Sequence, residues 1–213
     1  MGTTYSEKDL GVYIDPLLSF DDHIINTVNK ARKVCGMIVR NIEYKTPDIM
    51  IPLFKSMVRP ILEYANCVWA PNKRKDIDYV EKVQRQFTKK VIGMKELSYQ
   101  ERLSKLKLPS LEYRRLRGDI IQVYKIVNGL YDPITTKSLF EITESNKTRN
   151  NNPNKLFKKR TNTNLYQHFF TNRIINTWNS LPEEVVEVDT LNKLKNKIDF
   201  YFNKYIYCTN LDF

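Results

Sequence analysis

Apolar residues recur every three or four positions through most of this chain, which is the spacing that predicts amphipathic α-helices. The first helix is expected after Ser19, which with Asp22 resembles a capping box. Its apolar stripe contains Ile24, Val28, Ala31, Cys35 and Ile38. A second helix is predicted from Thr46 and Pro47, and Pro60 should kink or split it because proline lacks a backbone donor.

The third predicted helix covers residues 76–92, ends at Gly93 and has two chemically different faces. Its apolar face contains Ile77, Val80, Val83, Phe87 and Val91. At about 100° per residue, Lys82, Arg85 and Lys89 lie nearly opposite that face. One face is therefore expected to pack, while the other presents three cations.

Two capped helices are predicted after this one. Ser98 and Glu101 form a capping box that opens a short helix ending near Lys105. Ser110 is expected to cap a longer helix that ends at Gly129.

The C-terminal region has a further pair of helical patterns, at residues 166–178 and 190–205. Thr190 is the expected cap of the second helix. A turn through Leu181 and Pro182 should join the two helices.

Residues 10–14 form a short apolar run that predicts a strand. No partner strand is evident, so this strand is expected to be poorly anchored. Residues 132–164, by contrast, are rich in Asn, Thr, Lys and Ser, with four asparagines at 150–154. Such a composition predicts a flexible linker. The basic run 155–160 within it fits either a short strand or a charged tether.

Composition points to a globular protein with a polyanionic partner. The 213 residues are 41% hydrophobic and allow one domain or two small ones. The formal net charge is +11, and residues 66–131 contain 15 Lys and Arg against 7 Asp and Glu. Residues 1–65 contain 8 of each. A basic middle suits nucleic-acid phosphates, although a solvated, solubilising face explains it equally well.

Several classes of site are disfavoured by the sequence. Cys35, Cys67 and Cys208 are widely spaced and are expected to be reduced thiols of an intracellular protein. His23 and His168 have no neighbouring ligands for a metal. No apolar run is long enough for a membrane span, and the first residues have no apolar signal core.

Six separated blocks of sequence resemble one known family. The most specific is residues 53–71, which include Arg59, Pro60 and Trp69. The other blocks are residues 76–85, 97–103, 108–119, 169–173 and 178–182. In this order they resemble the region that follows the polymerase palm in reverse transcriptases of non-LTR (LINE-type, jockey-like) retrotransposons.

The resemblance implies a mainly α fold with a helical, thumb-like bundle and a second helical region. Its expected parts are a strand remnant between palm and thumb (1–18), the thumb-like bundle (19–93), post-thumb helices (94–131), the flexible basic linker (132–164) and a C-terminal helical pair (165–213). The parent polymerases use Mg²⁺, but fingers, palm and endonuclease are missing from this sequence. The chain is then a fragment or truncated element copy, nuclear or cytoplasmic, with no cofactor of its own.

No catalytic site is predicted. Phe20, Asp21 and Asp22 approach the aromatic and paired aspartates of a polymerase but lack the intervening residue. Their expected role is at the start of a helix. No phosphate-binding glycine loop or zinc-protease motif is present in the sequence.

The predicted function is binding of template and primer through the nucleic-acid backbone. The candidate contacts are Lys73, Arg74, Lys75, Lys82, Arg85, Lys89, Arg114 and Arg117. For Arg114, Arg115 and Arg117, an intramolecular network with carboxylates is an equal alternative. Trp69, Trp178 and Tyr64 are expected in the core more than stacked on bases. A different class of function is a host-retained helical module that binds another protein through the surface once packed on the palm.

Overall fold

A computed structural model describes residues 6–136, 138–143, 155–209 and 211 of the chain, which is mainly helical. The chain divides into two compact units. The first extends to Arg115 and includes the described residues of Tyr207–Leu211, and the second is the described part of Leu116–Ile206. Within the described residues, no helix has the length and apolarity needed to cross a membrane.

The first unit begins with a β-hairpin. Strand β1 (Glu7–Asp9) pairs antiparallel with β2 (Val12–Ile14). The two turn residues, Leu10 and Gly11, have φ values of 43° and 88°, as tight two-residue hairpin turns require. The expectation that residues 10–14 lack a partner strand is therefore wrong. The partner is made of charged, exposed residues, which carry no apolar alternation to announce a strand.

Six α-helices and one π-helical segment complete the main body of the first unit. They are α1 (Asp21–Asn41), α2 (Pro47–Leu53), the π-helical segment (Phe54–Val58), α3 (Arg59–Glu63), α4 (Asn66–Trp69), α5 (Arg74–Thr88) and α6 (Tyr99–Lys105). Their apolar faces enclose one core. Its largest fully buried side chains include Trp69, Phe54 and Phe87.

The start of α1 differs from the prediction. No capping box forms, and Phe20 precedes the helix in the left-handed region with φ 57°. The loop is instead organised by Asp15, whose carboxylate accepts hydrogen bonds from the backbone N–H groups of Leu17, Ser19 and Phe20. Ser19 donates its hydroxyl to this carboxylate and accepts a hydrogen bond from the backbone N–H of Asp21 at 3.4 Å, whereas a capping box would use the N–H of Asp22.

The predicted second helix is interrupted between the second and the third of its three prolines. Pro52 lies inside α2 and Pro60 is the second residue of α3. Between them the ladder shifts register, and the N–H of Arg59 donates to the carbonyl of Phe54, five residues back. Each proline removes one donor from the α-helical ladder, and the π-helical segment accommodates the irregularity.

Helix α7 (Leu111–Val127) starts in the first unit and ends in the second. As predicted, Ser110 accepts a hydrogen bond from the N–H of Tyr113, and the Ser98 capping box is present at α6. Helix α5, by contrast, ends at Thr88, four residues before the predicted Ile92.

The second unit contains short helices after α7. They are α8 (Pro133–Thr136), α9 (Asn164–His168), α10 (Phe170–Arg173), α11 (Ile175–Ser180), α12 (Glu183–Val186) and α13 (Leu191–Tyr201), which a 3₁₀ turn (Asn203–Tyr205) follows. The predicted continuous helix over 166–178 is wrong, because Phe169 adopts an extended backbone between α9 and α10. Thr190 caps α13 as predicted.

The predicted linker, residues 132–164, lies partly outside the described residues, which omit 137 and 144–154. Its described flanks meet in a bridge between Ile142 and Leu156. Leu156 is buried, and its backbone N–H donates to the side-chain oxygen of Asn179. The basic run that follows Leu156 therefore starts from an anchored residue.

Candidate nucleic-acid interface

Helix α5 separates apolar from basic residues as predicted. Val80, Val83 and Phe87 are buried in the core of the first unit. Lys82 and Lys89 are exposed on the other side. Neither lysine has a carboxylate partner within the part of the chain that the structure describes.

The orientation of α5 is fixed by a buried carboxylate, Glu81. It accepts hydrogen bonds from the Tyr99 hydroxyl at 2.5 Å and from the backbone N–H groups of Leu111 and Glu112 at 3.1 and 3.2 Å. Glu81 thus caps the N-terminus of α7, where an anion is favoured. Burial raises the pKa of Glu81, and burial together with the Glu81 charge raises the pKa of Tyr99.

The C-terminal end of α5 is held by a buried cation, Arg102. Its guanidinium donates to the carbonyls of Leu97 and Arg85 and to the Thr88 hydroxyl. The Arg85 carbonyl lies in the last turn of α5, where carbonyl oxygens lack intrahelical partners. Burial lowers the pKa of Arg102. Glu81 and Arg102 together set which side of α5 faces solvent.

The predicted contacts before α5 are not equivalent. Lys73 lies 3.5 Å from the carboxylate of Asp21. Arg74 is bound to Asp78 and to Glu112, at 2.8 and 3.1 Å, which raises its pKa, chiefly through the hydrogen bond to Asp78. Lys75 is exposed and forms no ion pair with the described residues. Of these three cations, Lys75 is therefore the one without an ion pair among the described residues.

Arg85 is half-buried, unlike the exposed Lys82 and Lys89. Its guanidinium lies 5.0 Å from the centre of the Tyr99 ring, a cation–π distance. It also lines a shallow concave surface with Lys75, Asp78, Tyr79, Lys82 and Thr209, and Asp78 is bound to Arg74. We call this the α5 surface. It brings together three of the predicted contacts, Lys75, Lys82 and Arg85.

Arg114 and Arg117 are both engaged by carboxylates. Arg114 binds Glu63 with two guanidinium nitrogens, and Arg117 binds Asp199 at 2.6 and 2.8 Å. Arg173 makes a similar bidentate pair with Asp119, at 3.0 and 3.2 Å. Arg114 and Arg117 therefore have the intramolecular carboxylate partners that the alternative prediction described.

A second basic surface was missed by the sequence reasoning. It is a groove of about 1020 Å³ between the hairpin, α1 and α3, which we call the α1 groove. Its lining residues include Lys8, Tyr13, His23, Asn26, Asn29, Lys30, Arg32, Lys33, Arg40 and Tyr64. The signal was present in the sequence, because α1 has four cations and no acid after its first turn. Residues 1–65 contain equal numbers of cationic and anionic residues, so the net charge of this stretch does not indicate a basic surface.

His23 attaches the hairpin wall of the α1 groove to α1. The backbone N–H of Tyr13 donates to Nδ1 of His23 at 3.3 Å, and Nε2 lies 3.3 Å from the Thr27 hydroxyl. A neutral ring protonated at Nε2 satisfies both contacts. Burial lowers the pKa of His23, which favours this neutral form. Trp69 packs edge-on against the imidazole, with ring centres 4.9 Å apart.

The tryptophans are not available for stacking on bases. Trp69 and Trp178 are 1% and 2% exposed. Tyr64, in contrast, is 58% exposed and borders the α1 groove, where its hydroxyl donates to the Leu10 carbonyl at 2.8 Å. No cluster of three or more potential metal-binding side chains occurs among the described residues.

Comparisons with known proteins give little guidance on function. No protein-family model matches the chain, and no solved structure matches it. An uncharacterized protein of Caenorhabditis elegans is 25% identical over 127 residues, which are 58% of this chain and 64% of that protein. The match therefore spans slightly less than two thirds of the relative's length and assigns no activity.

Proposed function

We propose that this chain binds nucleic acid through the sugar–phosphate backbone, as the non-catalytic C-terminal region of a non-LTR retrotransposon reverse transcriptase. The observation that carries the proposal is a row of three exposed lysines, Lys75 and Lys82 on α5 and Lys89 at its C-cap. None of them has a carboxylate partner among the described residues. The compartment that fits this role is the nucleus or the cytoplasm.

The packing of α5 supports this role. Glu81 and Arg102 fix the helix from its buried side, so the three lysines are displayed by a rigid element. A rigid row of cations suits contacts that position a duplex without selecting its sequence. The blocks at residues 53–71 and 76–85 lie in the part of the chain that the resemblance assigns to the thumb, which agrees with such a role.

The test is a salt titration of binding by the full chain to a recessed RNA/DNA duplex, followed by fluorescence anisotropy. Each phosphate neutralised should contribute about 0.9 to the slope of log affinity against log salt. The variant Lys75→Gln, Lys82→Gln, Lys89→Gln should lower that slope by about 3. Unchanged helicity by circular dichroism would exclude unfolding as the cause.

A matched control removes the same charge elsewhere in the first unit. Lys95, Lys105 and Lys107 are exposed and line neither basic surface. Their replacement by glutamine should leave the slope nearly unchanged. Undetectable or salt-independent binding by the unmodified chain would refute the proposal.

A protein-binding module is the second candidate. The observation that favours it is a set of exposed apolar side chains near the prolines of the first unit, Ile49, Met57 and Val68, which are 42%, 39% and 52% exposed. Association with a protein partner that persists at high salt, without nucleic-acid binding, would support this candidate.

A further inference from the structure

The α1 groove has a one-sided charge. Lys8, Lys30, Arg32, Lys33 and Arg40 line it, and no carboxylate does so among the described residues. A face that only keeps a protein soluble mixes both signs. Three of the eight acids of residues 1–65 are engaged elsewhere: Asp15 organises the loop before α1, Asp21 faces Lys73, and Glu63 binds Arg114.

The cations of α1 form a row rather than a cluster. Lys30, Lys33 and Arg40 are exposed and form no ion pair with any described residue. At 1.5 Å per residue, Lys30 and Arg40 are separated by about 15 Å along the helix axis. A compact anion such as inorganic phosphate cannot contact both ends of this row. A polymer with repeated negative charges can.

One residue of the α1 groove contacts one residue of the α5 surface. Arg32 lines the groove and Tyr79 lines the α5 surface. The Arg32 guanidinium donates to the Tyr79 hydroxyl at 3.2 Å and lies 4.7 Å from the centre of its ring. Both residues belong to the first unit, so this contact does not depend on the second unit.

The concave shape selects among polyanions. A lipid bilayer meets a protein on a flat or convex face, whereas a nucleic-acid strand follows a groove lined by cations and aromatic rings. Tyr13 and Tyr64 border the groove, and Asn26 and Asn29 supply amide groups for sugar or phosphate oxygens. These features favour a nucleic-acid strand over an anionic membrane.

We propose that the α1 groove binds the phosphate backbone of a nucleic-acid strand and extends the α5 surface, past Arg32 and Tyr79, into one continuous track. This inference rests on the proposed function and enlarges its binding site to a surface on α1. The occupant is one strand of backbone, from either single-stranded nucleic acid or one strand of a duplex.

The test compares two triple variants of the full chain at equal charge. Lys30→Gln, Lys33→Gln, Arg40→Gln should lower the salt slope by about 3 on duplex and about 2 on a single strand, as the α5 variant does, because each variant removes three phosphate contacts. The Lys95, Lys105, Lys107 variant is the control. Single-stranded oligonucleotide and recessed duplex, tested separately, distinguish the two sources of the strand.

A length series tests whether the track is continuous. A strand of about 16 nucleotides should be sensitive to both triple variants, since single strands occupy sites of several nucleotides. A strand of about four nucleotides should bind more weakly and lose salt slope for only one of the two variants. Equal effects of both variants at both lengths would overturn the continuous track.

The outcomes separate this inference from the proposed function. If the α5 variant loses salt slope and the α1 variant does not, the groove is a solvated face and only the inference fails. If the unmodified chain binds no nucleic acid, both fail. Tighter binding to phosphatidylserine vesicles than to oligonucleotide would also overturn the inference.

Discussion

Cations of the same formal charge have different surroundings in two regions of this protein. Arg114, Arg117 and Arg173 each make a bidentate pair with a carboxylate. Lys30, Lys33, Lys82 and Lys89 face solvent without a carboxylate partner among the described residues. The planar guanidinium matches a carboxylate in geometry, whereas the lysine ammonium is a flexible point charge.

This difference teaches that charge density alone does not locate a binding surface. The start of α7 has three arginines in four positions, but Arg114 and Arg117 are engaged within their units. The α1 cations belong to a stretch with equal totals of both signs, yet they line one groove. The distribution of acids in space decides which cations remain accessible.

The largest expected effect is the loss of stability when the ion pair between Arg173 and Asp119 is broken. Asp119 and Arg173 have side chains 8% and 18% exposed, so Asp119→Ala leaves a largely buried charge without this partner. The free energy of unfolding should fall by about 3 kcal/mol, measured by urea denaturation. Asp189→Ala breaks the exposed pair with Lys193 and should have no measurable effect. Similar losses in both variants would contradict the structural role.

A smaller effect is expected for Arg102, a buried cation held by carbonyl and hydroxyl oxygens. Arg102→Met preserves much of the volume but removes the donors to Arg85, Thr88 and Leu97. The stability of the first unit should fall by about 2 kcal/mol, because buried acceptors lose their partners. The salt slope of nucleic-acid binding should not change. A lowered slope with full stability would place Arg102 among the phosphate contacts.

The sequence predicted local structure best where a single side chain caps the N-terminus of a helix. Ser98, Ser110 and Thr190 cap their helices as expected, because capping depends on residues only three positions apart. The hairpin was missed because its charged first strand has no apolar alternation, and the α1 groove was missed because its walls come from residues distant in sequence. Residues 166–178 have helical spacing throughout, but the extended backbone at Phe169 interrupts them.

A pH effect is expected at His23, the attachment of the groove wall. Because burial lowers its pKa in the folded state, the unfolded chain takes up the proton first as the pH falls. This contribution to stability is complete above about pH 6.5 and is lost as the pH falls from there toward the folded pKa. The expected result is a larger stability loss on acidification in the unmodified chain than in His23→Gln.

Urea denaturation at several pH values measures this difference, since the other titrating groups are common to both proteins. Glutamine has a carbonyl for the Tyr13 N–H and an amide donor for Thr27, so it preserves the two contacts without the titration. Identical pH dependence in the two proteins would exclude the proposed role of His23.

The most direct test of the comparison removes two positive charges from each region and measures the salt slope of nucleic-acid binding. Arg114→Gln with Arg117→Gln removes carboxylate-bound arginines, and Lys82→Gln with Lys89→Gln removes exposed lysines. The lysine variant should lower the slope by about 2, and the arginine variant should leave it nearly unchanged while lowering stability. An equal or larger loss of slope in the arginine variant would contradict the account.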